Sequence, residues 1–180
     1  QDTDNLVVKL AQTGNVVWAK PFGGKGGDNI NQIAVDAEGN LFASGNFTGT
    51  LNFFDGVHEI NNEGGLDGYI VKFSSAEVKV VWVRHVGGGG WETVYGIGVT
   101  ASGNVLATGR FNSQQIGVDD QQLETTGDID AFCLYLNGET GKLTWAFTFG
   151  TPDGEDRTGC TEVDANGNFY LTGFVSSGLV

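Results

Sequence analysis

The stretch VDAEGNLFASG at residues 35–45 decides the fold, because the chain contains it in three versions. It returns as VTASGNVLATG at residues 99–109 and as VDANGNFYLTG at residues 163–173, so the Gly-Asn pair recurs every 64 residues. Each copy reads as an apolar strand, a tight turn and a second apolar strand, since Gly supplies the positive φ that such a turn needs and Asn tolerates it. A fixed period of this length indicates a repeat architecture.

A second repeated element supplies two more strands in each unit. An Asp opens the segments DNLVVKL, DGYIVKF and DAFCLYL at residues 4–10, 67–73 and 130–136. After a turn, each is followed by an apolar segment with a Trp at the same place: Trp18, Trp82 and Trp145. One unit is therefore four short strands joined by turns, as in one β-propeller blade. The sequence predicts an all-β protein, a β-propeller made of four-stranded antiparallel blades.

These matches divide the chain into a single array of blades. Residues 25–88 and 89–151 each hold a full blade. Residues 1–24 hold the second half of a blade and residues 152–180 hold the first half. The two halves are complementary, and the chain holds three blades' worth of strands in total.

Each full repeat also carries an insert between its second and third strands, at residues 47–60 and 111–123. In the first insert, Asp55-Gly56 stands between apolar residues, which is a short-hairpin signal. We therefore expect a small extra hairpin at the outer or lower edge of each full blade.

Three segments of the repeat carry a family resemblance. They are IAVDxxGNLFxxGxF at residues 33–47, GGxDxYIVKF at residues 64–73 and the pair Val81-Trp82. On these residues the repeat resembles the bacterial SBBP-type β-propeller repeat, although Thr100 replaces the turn Asp and Tyr135 replaces the Lys in later copies. The resemblance implies a propeller fold in a secreted or cell-surface protein, and it brings no catalytic residues.

The composition fits this fold and excludes several partners. Thirty glycines among 180 residues, two prolines and 39% hydrophobic residues are typical of a turn-rich all-β protein. A net charge of −13 argues against nucleic acid, which requires a basic footprint. No apolar run approaches the roughly 18 residues of a membrane span, so we expect no membrane insertion. The chain begins at Gln1 and contains no Met, which leaves a processed product with a removed export signal open.

Carboxylates and one Trp are the candidate ligand-binding residues. Asp28, Glu92 and Asp156 recur at intervals of 64 residues, just before the innermost strand of a blade. Carboxylates repeated around a propeller can line one rim and gather a cation or sugar hydroxyls, or each can cap a local turn. Trp91 stands alone in a glycine-rich blade connection, where an exposed ring can stack on a sugar or insert into a neighbouring subunit.

Calcium is the one cofactor that the turns suggest. Residues 36–40 and 164–168 resemble the start of a calcium loop, yet the Gly is out of place and no bidentate Glu follows. Turn chemistry accounts for these residues, so we predict no metal site and no cofactor.

The chain offers little for catalysis or covalent modification. His58 and His85 do not recur, and no nucleophile elbow or zinc motif is present, so we predict that the protein is not an enzyme. Asn46 heads the one glycosylation sequon. Cys133 occupies a strand position and is expected to behave as a small core hydrophobe, while a disulfide with Cys160 is left open.

The incomplete blades favour a structural function. Three blades cannot close a ring alone, since propellers have about four to eight. Open strand edges are templates for pairing with another chain. We therefore expect a non-enzymatic extracellular scaffold whose partners are copies of itself, in a ring or filament, or further blades of a longer chain. The alternative is a carbohydrate-binding propeller module with Trp91 on its binding face and glycans as ligands.

Overall fold

The structure of the chain is a computed structural model that describes residues 3–176. These residues form sixteen strands, and among them there is no helix, and so none that could cross a membrane. The strands are β1 (Asn5–Leu10), β2 (Val16–Lys25), β3 (Asp28–Val35), β4 (Leu41–Phe47), β5 (Thr50–Asn52), β6 (Glu59–Asn61), β7 (Asp67–Phe73), β8 (Val80–Gly88), β9 (Glu92–Val99), β10 (Val105–Phe111), β11 (Gln115–Val118), β12 (Gln121–Glu124), β13 (Asp130–Leu136), β14 (Leu143–Phe149), β15 (Arg157–Val163) and β16 (Phe169–Phe174).

The strands form four antiparallel sheets, which confirms the all-β prediction. Two four-strand units make up the middle of the chain: the first unit runs β3-β4-β7-β8 and the second runs β9-β10-β13-β14. A strand pair stands at either end, β1-β2 before the first unit and β15-β16 after the second. No sheet closes on itself within residues 3–176, and the propeller arrangement stays a prediction. Residues 1, 2 and 177–180 of the predicted half-blades lie outside the described residues.

The Gly-Asn turns join the first two strands of a unit in the way that the sequence predicts. Gly39 and Gly103 both have φ of +81°. In the first copy the backbone N–H of Asn40 donates to Oδ1 of Asp36 at 2.7 Å. An Asx-type hydrogen bond of this kind fixes the turn without help from the rest of the fold.

The second and third strands of the two units pair in the same register. In the first unit Leu41 lies opposite Phe73 and Gly45 lies opposite Tyr69. In the second unit the corresponding pairs are Val105 with Leu136 and Gly109 with Phe132. A Cβ on Gly45 would lie 2.8 Å from the Tyr69 ring, and one on Gly109 would overlap the Phe132 ring. The recurrent Gly at the end of the second strand therefore makes room for an aromatic side chain on the third.

The inserts form the predicted hairpins, β5-β6 and β11-β12, but their predicted position at the edge of their own units is wrong. Each hairpin joins the sheet of the preceding strands rather than its own unit. β5 pairs with β2, and β11 pairs with β8 at Gly87 and Gly88. The inserts therefore connect each part of the chain to the part before it.

Two hydrophobic clusters lie between successive sheets. The first is formed by residues of β1, β2 and β5 against β4 and β7, including Phe22 and Tyr69. The second is formed by residues of the two four-strand units, including Phe42, Trp82 and Ile97. Because β4 contributes to both clusters, all seven of its residues are buried.

Candidate functional site

Pairs of carboxylates lie where one set of strands passes to the next. Isolated parallel bridges join Thr3 to Gly27, Leu66 to Trp91 and Ile129 to Glu155. The residue after each bridge partner carries a carboxylate, so the bridges place these residues on neighbouring backbone segments as three pairs: Asp4 with Asp28, Asp67 with Glu92, and Asp130 with Asp156. Except for Asp4, all of these carboxylates are buried. The predicted rim residues Asp28, Glu92 and Asp156 are only 3%, 0% and 0% exposed, respectively.

Glycines at the end of the outer strand leave the space that these carboxylates occupy. A Cβ on Gly23 would overlap Asp4 and lie 2.8 Å from Oδ2 of Asp28. A Cβ on Gly150 would overlap the carboxylate of Asp130. The recurrent Gly after each periodic Trp, which is Gly23, Gly87 or Gly150, is therefore a packing requirement of the carboxylate pairs.

The middle pair contains a carboxyl group, that of Glu92, with a raised pKa. Oγ of Ser113 donates to Oε1 of Glu92 at 2.5 Å, and Nε2 of His85 lies 2.6 Å from Oδ2 of Asp67. Burial raises the pKa of Glu92 to about 7, and the nearby charge of Asp67 acts in the same direction against the hydrogen bonds from Ser113. Oε2 of Glu92 and Oδ1 of Asp67 are buried, and neither has a hydrogen-bond partner within normal distance among residues 3–176. A proton on Glu92 lowers the cost of burying two adjacent carboxylates.

The third pair is tied to the local backbone. The N–H and Oγ1 of Thr151 donate to Oδ2 of Asp156 at 2.5 and 2.9 Å, and the N–H of Ser176 donates to its Oδ1 at 3.0 Å. Burial raises the pKa of Asp156, but these hydrogen bonds outweigh it and leave the pKa below its ordinary value. The N–H of Thr126 donates to Asp130 at 2.6 Å in the same way. In this pair the carboxylates act as caps of the chain connections.

The first pair follows the same local pattern, since the N–H of Gly24 donates to Oδ2 of Asp28 at 2.8 Å. The carboxylates that the sequence offered as sugar or cation ligands are thus directed into the protein. Within residues 3–176 no three His, Cys, Asp or Glu side chains form a group that could hold a metal ion. At the predicted calcium-like turns, Asp36 and Asp164 accept hydrogen bonds from Asn40 and Asn168.

Trp91 differs from the carboxylates in that its side chain is exposed to solvent. Its side chain is 64% exposed, although Glu92 beside it is fully buried. The backbone N–H of Trp91 donates to Oδ1 of Asn112 at 2.6 Å, and its indole lies against Gly65, where a Cβ would overlap it. The ring is thus fixed at its base and open to solvent.

The glycosylation candidate and the two cysteines are not part of the carboxylate pairs. Asn46 lies in β4, only 8% exposed, and its Oδ1 accepts a hydrogen bond from Asn31 at 3.1 Å. Cys133 is buried and Cys160 is exposed, and neither forms a disulfide. Burial raises the pKa of the Cys133 thiol to about 12, which suits a core position.

Exposed apolar side chains mark the two ends of the described chain. Sixteen large apolar side chains are exposed among residues 3–176, and only Val57, Val81 and Trp91 lie away from the ends. The other thirteen lie on the first three strands, on β14, or on β16 and the residue after it: Leu6, Val8, Leu10, Val16, Val17, Ile33, Val35, Trp145, Phe147, Tyr170, Leu171, Phe174 and Val175. Such concentrated exposure is typical of an interaction surface. The sequence predicted the open strand edges but not these exposed faces, because the repeat pattern gives them the same apolar residues as covered ones.

Comparison with known proteins adds no relative, since neither the protein-family models nor the curated proteins contain a match to this chain.

Proposed function

We propose that this chain is a non-enzymatic structural protein, a β-propeller array that assembles head to tail with other copies of itself outside the cell or at the cell surface. The observation that carries the proposal is the concentration of exposed apolar side chains on the strands at the two ends. Those strands are complementary, since β15-β16 corresponds to the first two strands of a unit and β1-β2 to the last two.

The sheet register supports a specific pairing of β16 with β1 of a second copy. In the described chain β16 pairs only with β15, and β1 pairs only with β2. If the register of β4 with β7 is transferred, Phe169 lies opposite Leu10 of the second copy, and Gly173 lies opposite its Leu6. Gly173 then receives Leu6 as Gly45 receives Tyr69. An unpaired strand added to an open sheet edge gains a ladder of backbone hydrogen bonds.

The faces support the same contact. Ile97 in β9 is 1% exposed because the first unit packs on it, whereas the equivalent Ile33 in β3 is 52% exposed. Phe42 in β4 belongs to the cluster that covers Ile97, and its equivalent Tyr170 in β16 is 60% exposed. In the assembly, Tyr170 of one copy covers Ile33 of the next. Burial of apolar area of this kind contributes about 25 cal/mol per Å² before the entropic cost of association.

The contact is heterologous, so it closes into a ring or continues as a filament. Two copies hold six blades, within the usual range of about four to eight for a closed propeller. The same interface in an open geometry gives a fibre. In a longer protein, further blades would supply the strands that a second copy supplies here.

The experiment is a mixing test with two variants, one at each end. Leu6→Asp and Tyr170→Asp alter residues that are 61% and 60% exposed, so each variant should fold normally. We expect the unmodified chain to assemble with concentration in light scattering, and each variant alone to be monomeric because a carboxylate would be buried at the junction. An equimolar mixture should form a defined dimer, since each variant retains one intact end. A chain that stays monomeric at every concentration would contradict the proposal, and so would a mixture that stays monomeric.

Glycan binding is the second candidate, favoured by the 64% exposure of Trp91 on a fixed loop. An exposed indole held by its backbone can stack on a sugar ring at low entropic cost. A glycan array should then give signals that Trp91→Ala removes without lowering the melting temperature. An array without signals for the unmodified chain would count against this candidate.

A further inference from the structure

An aromatic ladder follows the outer side of the second four-strand unit. It consists of Tyr135 in β13 and of Trp145 and Phe147 in β14. The ring centroids of Tyr135 and Trp145 are 5.1 Å apart with an angle of 16° between the planes, and those of Trp145 and Phe147 are 5.8 Å apart at 20°. Trp145 is 38% exposed and Phe147 is 47% exposed. Two half-exposed stacked rings on a strand are an unusual use of apolar surface in a soluble sheet.

The equivalent positions of the first unit show how such a row is covered. They are Lys72, Trp82 and Arg84, one repeat earlier in the sequence. Trp82 is 5% exposed, because the turn at residues 137–142 of the second unit lies over it. Nε1 of Trp82 donates to the carbonyl oxygen of Gly138 at 3.1 Å.

The two charged side chains bind the same turn. Nζ of Lys72 donates to the carbonyl oxygen of Gly138 at 2.9 Å. Nε of Arg84 donates to the carbonyl oxygen of Gly141, and its Nη2 donates to that of Thr140, both at 2.7 Å. The turn between the third and fourth strands of one unit is therefore a cap for the outer strands of the unit before it.

Phe169 of β16 meets the Tyr135 ring edge-on at 5.7 Å, but no described turn caps the ladder, since the next turn of this type would belong to strands that follow β16. The turn between β1 and β2, at residues 11–15, has the required position in the repeat. Gly14 has φ of +86° and corresponds to Gly141, which has φ of +70°. The N–H of Ala11 closes this turn on the carbonyl oxygen of Asn15 at 2.8 Å, just as the N–H of Asn137 does on that of Lys142.

We propose that the turn at residues 11–15 of a second copy seats on the Tyr135–Trp145–Phe147 ladder. The inference rests on the proposed head-to-tail assembly and identifies the side-chain contact that selects the partner.

Charge favours this occupant over the other turns of the chain. Residues 11–15 read AQTGN and carry no charged side chain. The equivalent turns read SSAEVK at residues 74–79 and NGETGK at residues 137–142, and each carries a Glu and a Lys. In the ladder, the uncharged Tyr135 and Phe147 occupy the positions that the charged Lys72 and Arg84 occupy in the first unit. The uncharged turn brings no side-chain ion that would be desolvated on the rings without a partner, while its backbone carbonyl groups stay available to donors.

A second contact places the same turn. The N–H of Ser75 donates to Oδ1 of Asn40 at 3.0 Å, and the N–H of Gly138 donates to Oδ1 of Asn104 at 3.1 Å. In each four-strand unit, the Asn of the Gly-Asn turn thus accepts a hydrogen bond from the turn between the third and fourth strands. Asn168 is the third such Asn, and its Nδ2 already donates to Asp164. By equivalence with Asn40 and Asn104, its Oδ1 would accept from the N–H of Gln12 of the second copy in the proposed assembly.

Stacked rings are a poor surface for a sugar, which favours a protein occupant. Tyr135, Trp145 and Phe147 are nearly parallel and face one another, so their faces are partly covered by the neighbouring rings. A sugar ring needs an open aromatic face, whereas a turn with carbonyl groups can contact ring edges and the indole N–H.

The test compares the dissociation constant of assembly for three substitutions in the full chain. Trp145→Ala should raise it at least tenfold, because it removes the ring and the N–H that the partner's turn would contact. Phe147→Arg should lower it severalfold, because it restores the donor that Arg84 provides to an equivalent turn. This gain cannot arise from a folding defect. Val57→Ala changes a residue that is 82% exposed and lies on another part of the surface, and it should leave the constant unchanged.

The outcomes separate this inference from the proposed function. If the unmodified chain assembles and neither Trp145→Ala nor Phe147→Arg alters the dissociation constant, the ladder is not the seat of the turn, although head-to-tail assembly stands. If Phe147→Arg weakens assembly, the equivalence with Arg84 is wrong and the inference fails. If the unmodified chain does not assemble, both proposals fail.

Discussion

At the residue scale, Thr100 explains how the turn persists where its Asp is replaced. Oγ1 of Thr100 accepts the N–H of Asn104 at 3.0 Å, in the place of the Asp36 carboxylate. The turn therefore needs one acceptor at this position and a Gly with positive φ, and either residue type supplies the acceptor. These local requirements could be predicted from the sequence because they depend on atoms within five residues of one another.

The carboxylates could not be interpreted from the sequence in the same way. Asp28, Glu92 and Asp156 recur at a regular spacing whether they face solvent or the interior. Their burial depends on bridges to residues some 24 to 26 positions earlier, such as Leu66 with Trp91. A pattern along one strand does not report which other strand lies beside it.

Glu92→Gln should make the stability of the protein less dependent on pH. The folded-state pKa of Glu92 is raised to about 7 from an ordinary value of 4.5. The stability that Glu92 contributes to the folded state by binding a proton is therefore complete below pH 4.5, and it is lost as the pH rises through 7. We expect the variant to match the unmodified chain near pH 4.5 and to exceed its free energy of unfolding by about 3 kcal/mol at pH 8.5.

Urea unfolding at a series of pH values measures this difference, in dilute samples so that assembly does not contribute. Glu38→Gln is the matched control, since Glu38 is exposed. Equal pH profiles for the Glu92 variant and the unmodified chain would show that Glu92 is ionised without penalty.

At the scale of elements, the glycine at the end of the second strand fixes how that strand meets the third. A Cβ on Gly109 would overlap the carbonyl oxygen of Thr93 and the ring of Phe132. Gly117 lies in β11, and a Cβ there would meet nothing within 4 Å. A methyl group would therefore clash with its neighbours at Gly109 but not at Gly117.

Gly109→Ala should therefore lower the free energy of unfolding by roughly 1–3 kcal/mol, the usual cost of overpacking. Gly117→Ala should change it by less than about 0.5 kcal/mol, as is usual for substitutions away from packed sites. Thermal unfolding followed by circular dichroism compares the two variants. Equal melting temperatures would mean that β10 and β13 can separate to admit a methyl group.

The strands themselves were predictable, but the pairing of the inserts was not. Alternation and turn residues identify a hairpin from its own sequence, as at Asp55-Gly56. β11 pairs with β8 at Gly87 and Gly88, which belong to the earlier unit. No local signal carries that information.

At the scale of the whole molecule, the period of 64 residues predicts open strand edges at both ends of the array. Among the described residues, β1 and β16 each have one edge without a paired strand. The side chains that cover or expose each face depend on the neighbouring sheet, so Ile33 and Ile97 could not be distinguished by sequence although their exposures differ by about half of the side chain.

Assembly should make the melting temperature depend on protein concentration, because association stabilises only the folded chain. We expect the melting temperature of the unmodified chain to rise by a few degrees for each tenfold increase in concentration. Leu6→Asp should show no such rise. Differential scanning calorimetry over a hundredfold concentration range makes the comparison, and a constant melting temperature for the unmodified chain would argue against self-association.

The insert hairpins have a consequence for the order in which the chain reaches its native form. β8 ends at Gly88, but the strand that pairs with its outer end begins only at Gln115. During synthesis each outer strand therefore remains uncovered until a good part of the following unit has left the ribosome. We therefore expect the strand edges of a nascent chain to become paired in order from the N-terminus, because the insert of each unit pairs with the outer strand made before it.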